Sequence, residues 1–103
     1  MRVVALAAIT VVLAGCSDTT SLTPAAERGR QIYLAQCTAC HNSDPSQPGP
    51  VGPPVKGASR ELLEAKVVRG AYPPGYTPKR PTTLMPPQPQ LAPEIPAFAE
   101  FLK

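Results

Sequence analysis

The apolar positions of this chain fall into one uninterrupted block and three spaced patterns. The block covers residues 3–13 and is broken only by Thr10. It is too short to cross a bilayer as a helix, which takes about 20 apolar residues. The first spaced pattern runs over residues 24–36, where Ala25, Ala26, Gly29, Ile32 and Tyr33 recur at helical intervals and Cys37 and Cys40 prolong the stripe. Thr23 stands in the capping position, Pro24 suits the first helical residue and Glu27 lies near the positive end of the helix dipole. Inside a helix a glycine costs about 1 kcal/mol relative to alanine, so Gly29 predicts a second helix packed closely over it.

A second helix is predicted over residues 60–69. Ser59 is its cap, Leu62, Leu63, Val67 and Val68 form its apolar side, Arg69 falls in its last turn and Gly70 stops it. A third is predicted over residues 94–103, with Ile95, Phe98, Phe101 and Leu102 at helical spacing. Pro93 and Pro96 must lie in or before its first turn, since a deeper proline would break the hydrogen-bond ladder. No strand alternation and no internal repeat is visible, so the expected fold class is all-α, with about three helices.

Composition changes sharply between the helices. Fourteen of the fifteen prolines fall between Pro45 and Pro96. Proline density of this kind has two readings: a disordered segment, or ordered loops of restricted φ wrapped around a rigid object.

The apolar block follows a short positive start, Met1-Arg2, and so reads as the core of an export signal. It ends in Leu13-Ala14-Gly15-Cys16, which resembles the lipobox of bacterial lipoproteins. That resemblance implies cleavage before Cys16, acylation of its thiol and a domain order of signal peptide (1–15), lipidated N-terminus and tether (16–23) and folded domain (24–103). The implied location is a membrane surface facing the periplasm or the cell exterior. A coil of seven residues averages roughly 15 Å end to end, which keeps the domain close to that surface. The alternative is a plain export signal in which Cys16 merely follows small residues.

The remaining chain carries nine basic and seven acidic side chains, a balance too weak to suggest nucleic acid as a partner. With two Phe, three Tyr and no Trp it can bury only a modest core, and domains of this size often recruit a disulfide, a metal or a cofactor.

The chemistry is concentrated in Cys37-Thr38-Ala39-Cys40-His41. C-x-x-C-H is the attachment pattern of c-type haem. Two thiols three residues apart reach the two vinyl groups of one porphyrin, and the adjacent imidazole then lies below the iron. Three other readings compete. A thioredoxin-like dithiol needs a strand before the motif, and none is predicted. A structural zinc site wants four ligands, whereas the chain offers Cys37, Cys40 and its sole histidine, His41. A Cys37–Cys40 disulfide would close a very small loop and stabilise little. Apart from the initiator the one methionine is Met85, which makes it the expected second axial ligand; the alternative is a methionine that fills a core gap. A His/Met pair favours a relatively high reduction potential.

Over residues 24–103 the chain resembles the class I, single-haem cytochromes c. The residues that carry the resemblance are Gly29 and Tyr33, the C-x-x-C-H motif, the loop Gly52-Pro53-Pro54-Val55-Lys56-Gly57 and Met85-Pro86. It implies one covalent haem c on Cys37 and Cys40, with His41 and Met85 as axial ligands. It implies also that the Pro53 carbonyl accepts a hydrogen bond from His41, and that Gly29 and Tyr33 pack on the last helix at Ile95 and Phe98 or at Phe98 and Phe101. The final helix departs from the family in its prolines. Tyr72, Tyr76, Lys79 and Arg80 are candidate contacts for the haem edge or propionates, against the alternative of a solvated loop. The implied function is one-electron transfer without enzymatic turnover, with a dehydrogenase, oxidase or cytochrome complex as redox partner. The chain then serves as a free shuttle or as the cytochrome subunit of such an enzyme. The rival is a haem sensor or small peroxidase whose sixth position is open.

Overall fold

The structure is a computed structural model, and it describes residues 9, 11, 21–81 and 83–103. Apart from residues 9 and 11, the segment expected to be an export signal lies outside the described residues, as do Cys16 and most of the expected tether. Among the described residues all regular structure is helical, and no helix is long and apolar enough to cross a membrane.

Helix α1 spans Pro24–Gln36. Its start is fixed by Thr23, whose hydroxyl accepts the Ala26 N–H at 3.1 Å, and by Pro24, whose missing N–H has no helical partner to lose. Ala26, Gly29 and Tyr33 are its buried residues, one stripe at helical spacing. Helix α2 begins at Arg60 under a Ser59 cap, with the Leu62 N–H donated to Ser59 Oγ at 3.1 Å. After Leu63 the helix widens into a π-helical turn, Glu64–Val68, and Arg69 is its terminal residue. The expected single α-helix over 60–69 is therefore correct in its limits and wrong in its winding.

The last helical segment is shorter than its apolar pattern suggested. A 3₁₀ turn, Pro89–Glu94, leads into α3, Ile95–Phe101. Pro93 lies in that turn and Pro96 falls in the first turn of α3, where neither removes an α-helical bond. α3 packs across α1. A Cβ added to Gly29 would overlap the Ala97 carbonyl, so the glycine is what lets the two backbones approach. The expected contact with α3 is present, and Phe101 of the second expected pair takes part in it: Gly29 meets Phe101 together with Ala97, which was not expected, and the Tyr33 ring lies 5.5 Å from that of Phe101.

The core joins Tyr33 with Leu63 and Val67 from the second helical segment and Leu91, Ile95, Phe98 and Leu102 from the third. Arg28 clamps the same pair of elements from outside, its guanidinium donating to both Glu94 carboxylate oxygens at 2.7 and 2.5 Å. The proline-rich segments run between these helices as ordered loops tied by backbone bonds, for example Val55 N–H to the Pro45 carbonyl at 2.8 Å and Gly57 N–H to that of Leu102 at 2.5 Å.

Candidate functional site

The C-x-x-C-H segment grows directly out of α1. The Cys37 N–H still bonds the Tyr33 carbonyl, the Thr38 hydroxyl donates to the Leu34 carbonyl at 2.8 Å, and the Cys40 and His41 N–H groups both turn back to the Cys37 carbonyl, at 3.3 and 2.9 Å. Five consecutive residues are held in one tight turn. Cys37 is half-buried and Cys40 exposed, and both are free thiols. Burial pushes the Cys37 thiol up to about 11.

Residues 49–57 fold back onto this turn. The Cys40 carbonyl accepts the N–H groups of Val51 and Gly52, at 3.2 and 2.8 Å, and the Gly52 carbonyl accepts that of Gly49 at 2.9 Å. This brings the Pro53 carbonyl 3.0 Å from Nδ1 of His41. With its proton on Nδ1, the imidazole donates that bond and keeps the Nε2 lone pair for another partner. Gly52 lies flat against the ring: a Cβ there would come 2.5 Å from Nδ1 and 2.8 Å from Nε2. Gly49 is as constrained, since its Cβ would be 2.7 Å from the Asn42 nitrogen and the His41 carbonyl carbon. The sequence reading passed over Gly49. Its signal was present in Gly49-Pro50-Val51-Gly52-Pro53, where two glycines three apart let the loop lie on the histidine.

Cys37, Cys40, His41 and Met85 together line a cavity of about 370 Å³, and the same four line an adjoining one of about 300 Å³. The helices supply apolar walls to the larger cavity, chiefly Leu63, Val67, Phe98 and Leu102. A volume of this size falls in the range that holds small-molecule ligands and cofactors. Met85 arrives from the far side of the chain on a proline-flanked loop, and partly buried it packs against the core.

The candidate rim residues stand at the larger cavity, but with prior engagements. Tyr72 and Tyr76 stack on each other, with centroids 5.4 Å apart and 14° between planes, and Lys66 Nζ sits 4.4 Å over the Tyr72 ring. Lys79 donates to the Pro54 carbonyl at 2.8 Å and Arg80 to the Val51 carbonyl at 2.5 Å. These two cations therefore brace the loop that supports His41. Lys56, Lys66, Lys79 and Arg80 line the cavity, and no acidic side chain among the described residues does.

Compared with known proteins, the chain matches no family model, no curated protein and no solved structure.

The chemistry of the donor set can be tested on the geometry alone. Among the described residues no group of three or more His, Cys, Asp or Glu side chains is placed to hold one metal ion by itself. Two thiols, one imidazole oriented by a carbonyl, and one thioether do line a single apolar space with a cationic rim. Those residues suit a largely apolar macrocycle with anionic substituents: the two thiols could anchor it by thioether bonds, and His41 and Met85 could offer its metal a nitrogen and a sulfur ligand.

Proposed function

We propose that this protein is a small electron carrier holding one covalent c-type haem, exported and anchored by a lipid on Cys16. The observation that carries the reading is the convergence of Cys37, Cys40, His41 and Met85 on one apolar cavity, with His41 turned by Pro53 so that Nε2 is left available. Bound there, the haem iron supplies a one-electron ferric/ferrous couple. The chain's own residues do the rest. Cys37 and Cys40 fix the macrocycle, and the Pro53 carbonyl sets the tautomer, orientation and basicity of His41. Met85 would be the second residue to hold the iron and so would keep substrates off it, and Val67, Phe98 and Leu102 would hold water away. Lys79 and Arg80 place positive charge where the carboxylates of the macrocycle and an acidic redox partner would approach. The cytochrome c-like fold belongs to the same proposal.

The test is a haem stain of the mature protein on a denaturing gel. Covalent haem in the wild type, lost in Cys37→Ala and Cys40→Ala, is the expected result; an unstained wild type overturns the reading. The ferric spectrum then separates carrier from sensor or peroxidase. The far-red band of iron bound to thioether sulfur should be present, and should vanish in Met85→Ala. The lipid anchor is read independently, because Cys16→Ser should move the protein from the membrane to the soluble fraction.

A further inference from the structure

We infer that the π-helical turn Glu64–Val68 is the device that holds the Met85 loop in place, with the Val67 carbonyl and Gly70 as its positioning groups. This rests on the haem reading above.

A helix that ends on a left-handed glycine closes in one of two ways: with two bonds, from the residue after the glycine to the carbonyl five positions back and from the glycine to the carbonyl three back, or with a single bond from the glycine to the carbonyl four back. Gly70, with φ of 67°, is such a glycine, and the two-bond closure would use the carbonyls of Lys66 and Val67. The Gly70 N–H instead takes the single-bond form, reaching the Lys66 carbonyl at 3.1 Å, and the Ala71 N–H reaches six positions back to the Ala65 carbonyl at 3.0 Å, as a wider turn requires. The Val67 carbonyl is left free of the helix end, and the Gln88 N–H takes it at 2.6 Å, from 21 positions away in the chain.

The released carbonyl meets the one donor the loop has to give. Pro86, Pro87 and Pro89 have no N–H, so within 86–89 Gln88 alone can donate from the backbone. Beside it the Pro87 ring packs on Gly70, whose Cβ, if present, would stand 3.3 Å from the Pro87 Cβ. Residues 87 and 88 are thus both seated on the end of the turn. Only Pro86 separates Pro87 from Met85, and its fixed φ transmits that seating stiffly. Wide turns of this kind recur at functional sites. Here the turn offers an acceptor that the two-bond helix end would have used itself, and the consequence would fall on the thioether: seated, Met85 would hold the iron; unseated, it would leave the iron open to small ligands.

The experiment compares the mature, haem-loaded wild type with Gln88→Pro, which removes the donor, and with Gly70→Ala, which crowds Pro87. Gly75→Ala is the control. Gly75 also has positive φ, 78°, but a Cβ there meets nothing within 4 Å, so it carries the backbone strain without touching the loop. The readouts are gel haem stain, the far-red thioether band of the ferric form and carbon monoxide binding by the ferrous form. All four proteins should stain. Wild type and Gly75→Ala should keep the band and resist carbon monoxide. Gln88→Pro and Gly70→Ala should lose most of the band and bind carbon monoxide about tenfold faster or more, the scale on which supporting residues affect metal sites. Unchanged band and unchanged carbon monoxide resistance in both variants overturn the inference. Should Gln88→Pro fail to accumulate, the contrast between Gly70→Ala and Gly75→Ala decides on the same readouts. An unstained wild type defeats the haem reading and this inference with it, whereas stained variants with an unmoved band defeat this inference alone.

Discussion

Gly29 of α1 and Ala97 of α3 meet backbone to backbone, so closely that a Cβ on Gly29 would stand 2.6 Å from the Ala97 carbonyl carbon and 3.1 Å from Phe101 Cβ. The obstacle is main chain, which cannot turn aside as a side-chain tip can. Two effects then oppose each other in Gly29→Ala. Helix propensity favours alanine by about 1 kcal/mol, and overpacking at a tight contact costs about 1–3 kcal/mol. With a carbonyl as the neighbour the cost falls toward the upper end of that range, and a net destabilisation of up to about 2 kcal/mol is expected. Urea unfolding gives the sign directly; a stabilised variant would mean that the helices do not cross here.

That contact also shows how far the sequence could be read. α1 was legible to the residue because cap, N-terminal proline and apolar stripe agree. The helical class and the need for something over Gly29 followed from the same signals. The register on α3 did not, because it depends on where that helix begins, and Pro89 and Pro93 fold the preceding residues into a 3₁₀ turn. The widening at Glu64–Val68 was illegible for a different reason. Its local sequence suits an ordinary helix, and the group that completes the turn, the Gln88 N–H, comes from a distant loop. That Cys37, Cys40, His41 and Met85 would stand at one cavity was readable from residue type and count. Gly49 was missed because two glycines three apart in a proline-rich loop hint at a close backbone approach without saying what is approached, and the folded chain shows that it is the Cys40–Asn42 backbone.

Tyr33 couples the core to the C-x-x-C-H segment. Its ring is buried and its hydroxyl donates to the Asn42 carbonyl, one residue past His41. Tyr33→Phe should lose about 1 kcal/mol, the usual net worth of one such bond. A pH signature separates this from lost packing. Burial, and then the nearby Cys37 and Asp44, push the Tyr33 phenol up to about 12. A folded-state value above the unfolded one means that the contribution is whole below about pH 10, the unfolded phenol's range, and fades as pH climbs toward the folded value. The gap in urea midpoint between wild type and Tyr33→Phe should therefore narrow between pH 9 and pH 11.5. A constant gap would show that the hydroxyl does not titrate with folding.

At the acid end the reporter is the Arg28–Glu94 clamp. The hydrogen bond from Arg28, and then its charge, hold the Glu94 carboxyl below the usual carboxylate range. A depressed folded-state value gives stability that is present above the unfolded value, about 4.5, and is lost as pH falls through the folded one. The pair is exposed on the Arg28 side, so its worth is modest and falls with salt. Arg28→Ala should be less stable than wild type at pH 6 and indistinguishable from it near pH 2.5. Added salt at pH 6 should shrink the difference as acid does.

Gly52 makes the sharpest demand on the site. A methyl group there would overlap the His41 ring, which is also bound through Nδ1 to the Pro53 carbonyl one residue along the same loop. In Gly52→Ala the ring must tilt or the loop must lift, and either motion lengthens the Nδ1 bond that orients the imidazole. Gly57 provides the comparison. It belongs to the same loop and has φ of 83°, but a Cβ there meets nothing within 4 Å, so Gly57→Ala tests backbone strain without touching the histidine. On the haem reading, Gly57→Ala should lose stability and keep a low-spin ferric spectrum. Gly52→Ala should still carry covalent haem, since Cys37 and Cys40 are untouched, yet show a high-spin fraction and faster binding of added imidazole, by about tenfold or more. Identical spectra from the two variants would mean that the Gly52 contact supports the loop alone and leaves His41 unconstrained.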